Sequence, residues 1–546
     1  MKKINYLLRY SLMLGILTGF LSSCDNRITE SVTSIEEPSP NLEKISVLAF
    51  KPTAKNDNDM IQNAINYAAT NNIPVVTIPD GAYHIDVIKS VFLKSNIHLQ
   101  LSPNAVVKAI PTSLSGVYAI FKIHNVTNTK ISGGKLVGER YSHLGNSGEW
   151  GMGIDIRGAT KFEINNITIT DCWGDAIYIA GKSKNGSILN VICDNNRRQG
   201  VSVVSVDGLA IKNSLFKNTK GAAPQAGVDI EPNKNDVVKN VSIENCTFLN
   251  NAGYGLNIYG GTGLCTDITA KNCIIDKSNI GLSIGGGEGV LRIAISDFKI
   301  SNCPSQSIAI NKGSDVVNIS KVDILNSAKN AVTVNRGLNV KLSGLNVKGY
   351  TTTGLDVQLS NFITVESSTF STTNANATGA NVGWSTDINL TSTNFDGGIM
   401  GVKGTDTERF SISNNKIMNM NRGISLNYVR GSTISTNTLQ NIKEIPLEIN
   451  MSSTNKILNN TFINNCIGAS NTYSQILFTG TAAVPSSANE CKGNKIQNGT
   501  AANKAKYGIF LTADSKTNTV SNNTIQAGSY ITAAIKNDNP SNIVTP

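Results

Sequence analysis

The sequence predicts an all-β chain, one parallel β-solenoid of stacked turns behind a short capping helix, and three observations carry that prediction. The first is a phrase of glycine or alanine, apolar, any residue, apolar, recurring every two dozen or so residues. It reads Gly153-Ile154-Asp155-Ile156, Ala176-Ile177-Tyr178-Ile179, Gly200-Val201-Ser202-Val203, Gly227-Val228-Asp229-Ile230, Gly255-Leu256-Asn257-Ile258 and Gly281-Leu282-Ser283-Ile284. Looser copies run on through Gly354-Leu355-Asp356-Val357 and Gly423-Ile424-Ser425-Leu426 to Gly508-Ile509-Phe510-Leu511. Strand alternation at that period, with no helix between copies, describes one turn of a solenoid. The second is asparagine at the expected turns, as in Asn165-Asn166, Asn195-Asn196, Asn459-Asn460 and Asn522-Asn523. Asparagine tolerates left-handed backbone and can hydrogen-bond to its equivalent one turn up. The third is length, since 546 residues would split a compact globule into domains, whereas a solenoid grows turn by turn around one core. Roughly fifteen turns are expected at this period.

The chain opens with Lys2 and Lys3, an apolar stretch from about Leu7 to Leu21, and Leu21-Ser22-Ser23-Cys24. This resembles a bacterial lipoprotein signal. The resemblance implies removal of residues 1–23, lipid on Cys24, and an exported chain anchored to the cell envelope, at the outer membrane. Residues 24–44 are rich in Ser, Thr, Glu and Pro and read as a flexible tether. No later apolar stretch is long enough to span a bilayer, so membrane contact is expected through the anchor alone.

Residues 45–110 are expected to form an N-terminal cap and the first turn. Ile61, Ala64, Ile65 and Ala68 share one helical face, with Asp57 or Asp59 as N-cap. Pro79-Asp80-Gly81-Ala82-Tyr83 and Ser95-Asn96-Ile97-His98-Leu99-Gln100-Leu101 follow. This order resembles the N-terminal cap of pectin-lyase-fold proteins, and Ile131-Ser132-Gly133-Gly134-Lys135-Leu136-Val137-Gly138 is similar to an early turn of polygalacturonases and pectate-lyase-like proteins. The resemblance implies that residues 111–546 are a right-handed parallel β-helix, most of whose relatives act on acidic polysaccharides. One such solenoid hosts lyases, hydrolases, epimerases and adhesins, so the reaction must be read from residues.

Side chains alternate faces along a strand, and turns stack about 4.8 Å apart. Outward positions therefore form columns, one reading Asp155, Tyr178, Ser202, Asp229, Asn257, Ser283 and the next Arg157, Ala180, Val204, Glu231, Tyr259, Gly285. Such a surface over residues 141–259 suits a polymeric ligand. Trp150 and Trp173 fall 23 residues apart at matching positions, where indole faces can bind sugar rings or plug a corner. Arg197, Arg198 and Gln199 follow on the next turn. Against the motifs of polygalacturonases only Asp155 and Asp175 match; Met152, Gly174 and Gln199 stand where the other carboxylates and the histidine would be. The segment Gly227 to Asn233 is similar to one in alginate epimerases, with Asp229 on the family's aspartate but Ala226 and Glu231 in place of its tyrosine and histidine.

Three readings follow. The favoured one is β-elimination on a uronic-acid polymer: Arg157, Arg197 or Arg198 neutralises the uronate, Tyr178 or Tyr254 exchanges protons, and Asp229, Glu231, Asn233 and Asp236 hold Ca²⁺. The second is a glycoside hydrolase using Asp229 and Glu231, two residues apart on one strand, with Asp175 as a third carboxylate. The third is a non-catalytic glycan-binding surface protein. Asn257, Tyr254, Tyr259 and His143, the one histidine expected to overhang the cleft, complete the substrate-binding set; His84, His98 and His124 are expected to be structural. Beyond about the eighth turn no comparable cluster is expected. A formal charge of +10 agrees with an anionic polymer, while scattered Lys and Arg argue against nucleic acid. The protein is expected to be a monomer. Of nine cysteines, Cys172, Cys193, Cys246, Cys273 and Cys303 recur at equivalent places and are expected to pack as free thiols. No Cys/His metal spacing occurs.

Overall fold

The computed structural model describes residues 43–52, 55–287, 289–497 and 502–545. The expected signal segment, Cys24 and the tether up to residue 42 lie outside these residues. The rest is an all-β parallel solenoid of about 19 turns, more than the fifteen expected. Part of the excess arises because the sheet ladder already runs through the segment read as a cap, and the rest because the turns beyond residue 111 alone number more than fifteen. Lys44–Ser46 pairs with Val75–Ile78, which pairs with His98–Leu101.

A typical turn carries three strands, as in Gly151–Arg157, Thr160–Asn165 and Thr168–Thr170. The first strands of successive turns form one sheet, here the site sheet. Its strands β1 (Tyr118–His124), β2 (Gly151–Arg157), β3 (Ile177–Ala180), β4 (Gln199–Val203), β5 (Ala226–Ile230) and β6 (Tyr254–Ile258) pair in parallel and in order. Register follows the repeated phrase: Ile154 faces Ile177 and Ile156 faces Ile179, all without solvent exposure. The interior is a continuous stack of such residues, joined by phenylalanine pairs such as Phe216 on Phe248, ring centroids 5.5 Å apart.

Corners explain the asparagines. Asn166, Asn195, Asn459 and Asn522 adopt positive φ, and the next residue often turns inward to join a ladder. Asn415, Asn437, Asn460 and Asn494 are buried and linked: the side-chain oxygens of Asn437, Asn460 and Asn494 each accept from the backbone N–H of the asparagine one turn before, and that of Asn415 from the Thr393 N–H. The eight cysteines among the described residues are buried and unpaired.

The helix α1 (Asn58–Thr70) buries Met60, Ile61, Ala64, Ile65 and Ala68 against the first strands. Asp57 stands at its N-cap but makes no capping bond. Its carboxylate instead accepts from the His84 N–H at 2.6 Å, tying the helix start to a strand. No helix among the described residues is long and apolar enough to cross a membrane.

Candidate functional site

The predicted column is present. Asp155, Tyr178, Ser202, Asp229, Asn257 and Ser283 stand in register on successive strands of the site sheet. They stand at outward positions yet are all buried.

Arg198 is the centre of the site. At the foot of β4, with only 11% of its side chain exposed, it reaches three carboxylates: Asp175 at 3.3 Å from Nη1, Glu149 at 3.5 Å from Nε and Glu231 at 3.6 Å from Nη2. Burial works against its charge, but those carboxylates outweigh it and raise its pKa. Asp175 has no exposure, and burial lifts its carboxyl to about 7 despite the guanidinium beside it. Asp229, equally buried, is pushed well above the usual carboxylate range by burial and then by Glu231, which is hydrogen-bonded to it. Gln199 and Asn257 donate to the two oxygens of Asp229. Glu231 and Glu149 are the accessible carboxyls, 37% and 40% exposed. Tyr254 lies close enough to Asp229 that, after burial, its charge raises the phenol pKa; Tyr259 is exposed.

The aromatic residues are placed differently from expectation. Trp173 is covered on both faces, by the His143 ring at 4.0 Å and by the Arg197 guanidinium at 3.8 Å. It cannot stack on a sugar and plugs the corner. Arg197 is fixed there by bonds to the carbonyls of Gly148 and Trp173. His143 does not overhang a cleft. Its side chain is 1% exposed and its Nδ1 meets the buried Glu139 at 2.9 Å, with Tyr118 also bonded to Glu139. Trp150 remains partly exposed, edge-on to Tyr178 and 5.6 Å from Arg198. Tyr178 is buried, and burial raises its phenol pKa, which makes it a weaker acid than an exposed tyrosine.

The four proposed calcium ligands do not converge. Asp229 points into the column, whereas Asn233 and Asp236 belong to the turn after β5, closed by the Asp236 N–H donating to the Asn233 carbonyl. Among the described residues no group of three His, Cys, Asp or Glu side chains is arranged to hold a metal ion. A carboxylate cluster does return beyond the eighth turn: Arg422 contacts Glu448 at 2.8 Å and Glu444 at 3.9 Å.

Sequence reasoning missed Glu139, Arg140, Glu149 and His124. The first three lie in the non-repeating 138–150 segment, where Arg140 ties the loop down by donating to the carbonyls of Asn195 and Lys220. His124, read as structural, contacts Asp155 at 3.0 Å on the site face; its register with Arg157 was the available signal. Asp155, 1% exposed, also accepts from Arg157 Nε at 2.8 Å, and Arg157 lies 4.8 Å from the Tyr178 ring.

The raised Asp175 pKa predicts a pH dependence. Because the folded value of about 7 exceeds the unfolded one, the fold binds a proton that the unfolded chain releases, and stability falls as pH rises from about 4 to 7 before levelling. The slope reaches about 1.4 kcal/mol per pH unit. Asp175→Asn removes it, so the melting temperature of the variant minus that of the wild type should rise between pH 4.5 and 7.5. A difference flat across that range would refute the assignment.

Right handed beta helix region is the family model that matches, over residues 111–266, 226–395 and 372–525. The chain belongs to that family. Two proteins of Bacillus subtilis (strain 168) are similar in sequence: the SPbeta prophage-derived uncharacterized protein YorA, 29% identical over 34% of this chain and 38% of its own length, and the uncharacterized protein YclG, 24% identical over 56% of this chain and 58% of its own. The chain thus spans less than two thirds of either relative. Among solved structures it is similar to the Streptococcus pneumoniae surface protein and adhesin PfbA, with TM-score 0.48 and 17% identity over 66% of this chain and 99% of that one. It is also similar to a Yersinia enterocolitica family 28 exopolygalacturonase, with TM-score 0.46 and 14% identity over 64% of this chain and 78% of that one.

Proposed function

We propose that this protein is an exported glycan-active protein, lipid-anchored at the bacterial cell envelope through Cys24, that hydrolyses a polysaccharide laid across the site sheet. The observation that carries the reading is the single guanidinium of Arg198 holding Glu149, Asp175 and Glu231. Glu149 and Glu231 are its two accessible carboxyls. Their contacts to one guanidinium keep the two carboxyls close enough to act on one glycosidic bond, as the paired carboxyls of glycoside hydrolases do. Burial and the hydrogen-bonded Glu231 beside it push the Asp229 carboxyl well above the usual range, which favours one proton shared by the pair. Glu231, the exposed member of that pair, passes the proton to the glycosidic oxygen as the bond to the anomeric carbon breaks. Glu149 takes a proton from the attacking water, and Arg198 holds both groups in place.

Elimination is less well supported. It needs a cation to neutralise the uronate at the reacting sugar, and the cation there, Arg198, is already shared among three carboxylates. A second reading, a non-catalytic glycan-binding protein, draws on the full burial of Asp175 and Asp229, which keeps both from direct contact with a sugar.

Incubation of the chain from Cys24 onward with neutral and acidic polysaccharides, following reducing ends and the ultraviolet absorbance of unsaturated uronates, tests these readings. New reducing ends without absorbance are expected, with Glu231→Gln slower by roughly 10²–10⁴-fold. Rising absorbance would replace hydrolysis by elimination. Retained polymer binding without either product would leave the binding protein.

A further inference from the structure

The face of the site sheet changes character along its axis. Around Arg198, carboxylates outnumber the cation. Three turns earlier the balance is reversed. Lys122 stands in register with Asp155, and His124 with Arg157. Lys122, Arg157 and His124 thus gather about one carboxylate, Asp155, which is itself 1% exposed and bonded to Arg157 and His124. Lys122 makes no ion pair within 4.0 Å among the described residues; its ammonium lies 5.3 Å over the ring of Phe92. Phe92, 40% exposed, also meets the edge of the His124 ring at 6.0 Å. Arg157 keeps 35% of its side chain in solvent. The two ends are joined by aromatic contacts, Arg157 over Tyr178, Tyr178 against Trp150, and Trp150 beside Arg198.

We infer that Phe92, Lys122, His124 and Arg157 form a binding subsite for an acidic substituent, a carboxylate or sulfate, on the glycan that the Arg198 centre acts on. An exposed ring framed by cations in excess of their one buried counter-charge recognises a sugar with an apolar face and an anionic group. The subsite lies roughly 14 Å from Arg198 at the spacing of stacked strands, a distance that only an oligomer bridges. It therefore fixes the direction of the polymer: the acidic unit sits at the N-terminal turns and the bond to be broken lies near Glu149 and Glu231. The charged unit is held away from the reacting sugar, consistent with hydrolysis rather than elimination.

This inference rests on the site face being a glycan site, and its test separates the two. Glu231→Gln protein is titrated with a fluorescent oligogalacturonate hexamer and with an uncharged cello-oligomer of the same length. The acidic oligomer is expected to bind at least about tenfold more tightly, with a preference that weakens as salt rises. Lys122→Met, which breaks no ion pair, should abolish that preference while leaving binding of the neutral oligomer unchanged; Phe92→Leu should weaken both. Equal binding of the two oligomers, no measurable binding of the acidic one, or a preference that survives Lys122→Met would each overturn the subsite. Cleavage is scored separately in the wild-type protein. A preference lost in Lys122→Met with no new reducing ends would leave the subsite standing and remove the hydrolase.

Discussion

Arg198→Met is expected to destabilise the protein by about 3–5 kcal/mol near pH 8, the range for removing one partner of a buried charge cluster, and to abolish polysaccharide cleavage. The guanidinium is the only cation in contact with Asp175 among the described residues, and Asp175 has no solvent to replace it. Without Arg198 the folded pKa of Asp175 moves further above its already raised value, so the loss grows as pH rises through the interval in which the unfolded chain is ionised and the folded carboxyl is not. The deficit should therefore be smaller near pH 5, where the folded carboxyl already carries a proton with or without Arg198. Arg198→Lys keeps the charge but replaces a planar group with separate nitrogens for three partners by a single ammonium. It should recover part of the stability and little of the activity. Melting temperatures of both variants at pH 5 and 8 decide the matter, and a loss for Arg198→Met equal at the two pH values would show that charge pairing is not what the residue supplies.

The parts of this architecture legible in the sequence are those that repeat. Gly153, Ala176, Gly200, Gly227 and Gly255 mark the entry of one strand in successive turns, so counting from them places Asp155, Tyr178, Ser202, Asp229 and Asn257 in one column before any coordinates exist, and the ladder pairs them so. What the repeat does not encode is whether an outward position is open. Asp229 and Asn257 stand at outward positions but bond to each other at 2.8 Å and are buried. Loop residues were illegible for a related reason. Glu139 and Glu149 belong to a segment with no period, and only the folded path of that segment, tied by Arg140 across two further turns, brings Glu149 to Arg198 and Glu139 to His143. His143 and Trp173 looked accessible because each is polar or amphipathic and near the lip. In the fold they stack on one another, and Arg197 seals the outer indole face.

The asparagine corners give the second large effect, with its own internal control. Asn459 and Asn460 are adjacent, chemically identical and differently employed. Asn459 is exposed with φ 56°, so its side chain serves mainly to make left-handed backbone tolerable. Asn460 is fully buried: its Nδ2 donates to the Ile434 carbonyl at 2.8 Å, its N–H donates to Asn494 Oδ1 at 2.9 Å, and its own Oδ1 accepts from the Asn437 N–H at 3.0 Å and from Asn437 Nδ2 at 2.9 Å. Asn460→Ala leaves two donors of Asn437 and the Ile434 carbonyl unpaired where water does not reach. At about 1–3 kcal/mol for each unsatisfied buried group, partly relieved by relaxation, the expected loss is about 4 kcal/mol. Asn459→Ala should cost only about 1–2 kcal/mol, the penalty for an ordinary residue in left-handed backbone, and Asn459→Gly close to nothing. Because each turn of a solenoid contacts mainly its neighbours, the damage should be local: amide exchange should accelerate in the turns carrying Asn437, Asn460 and Asn494 while the site sheet around Arg198 keeps its protection. Equal losses for the two alanine variants would mean that the buried ladder contributes no more than the turn geometry, and that the apolar stack alone sets the register of the turns.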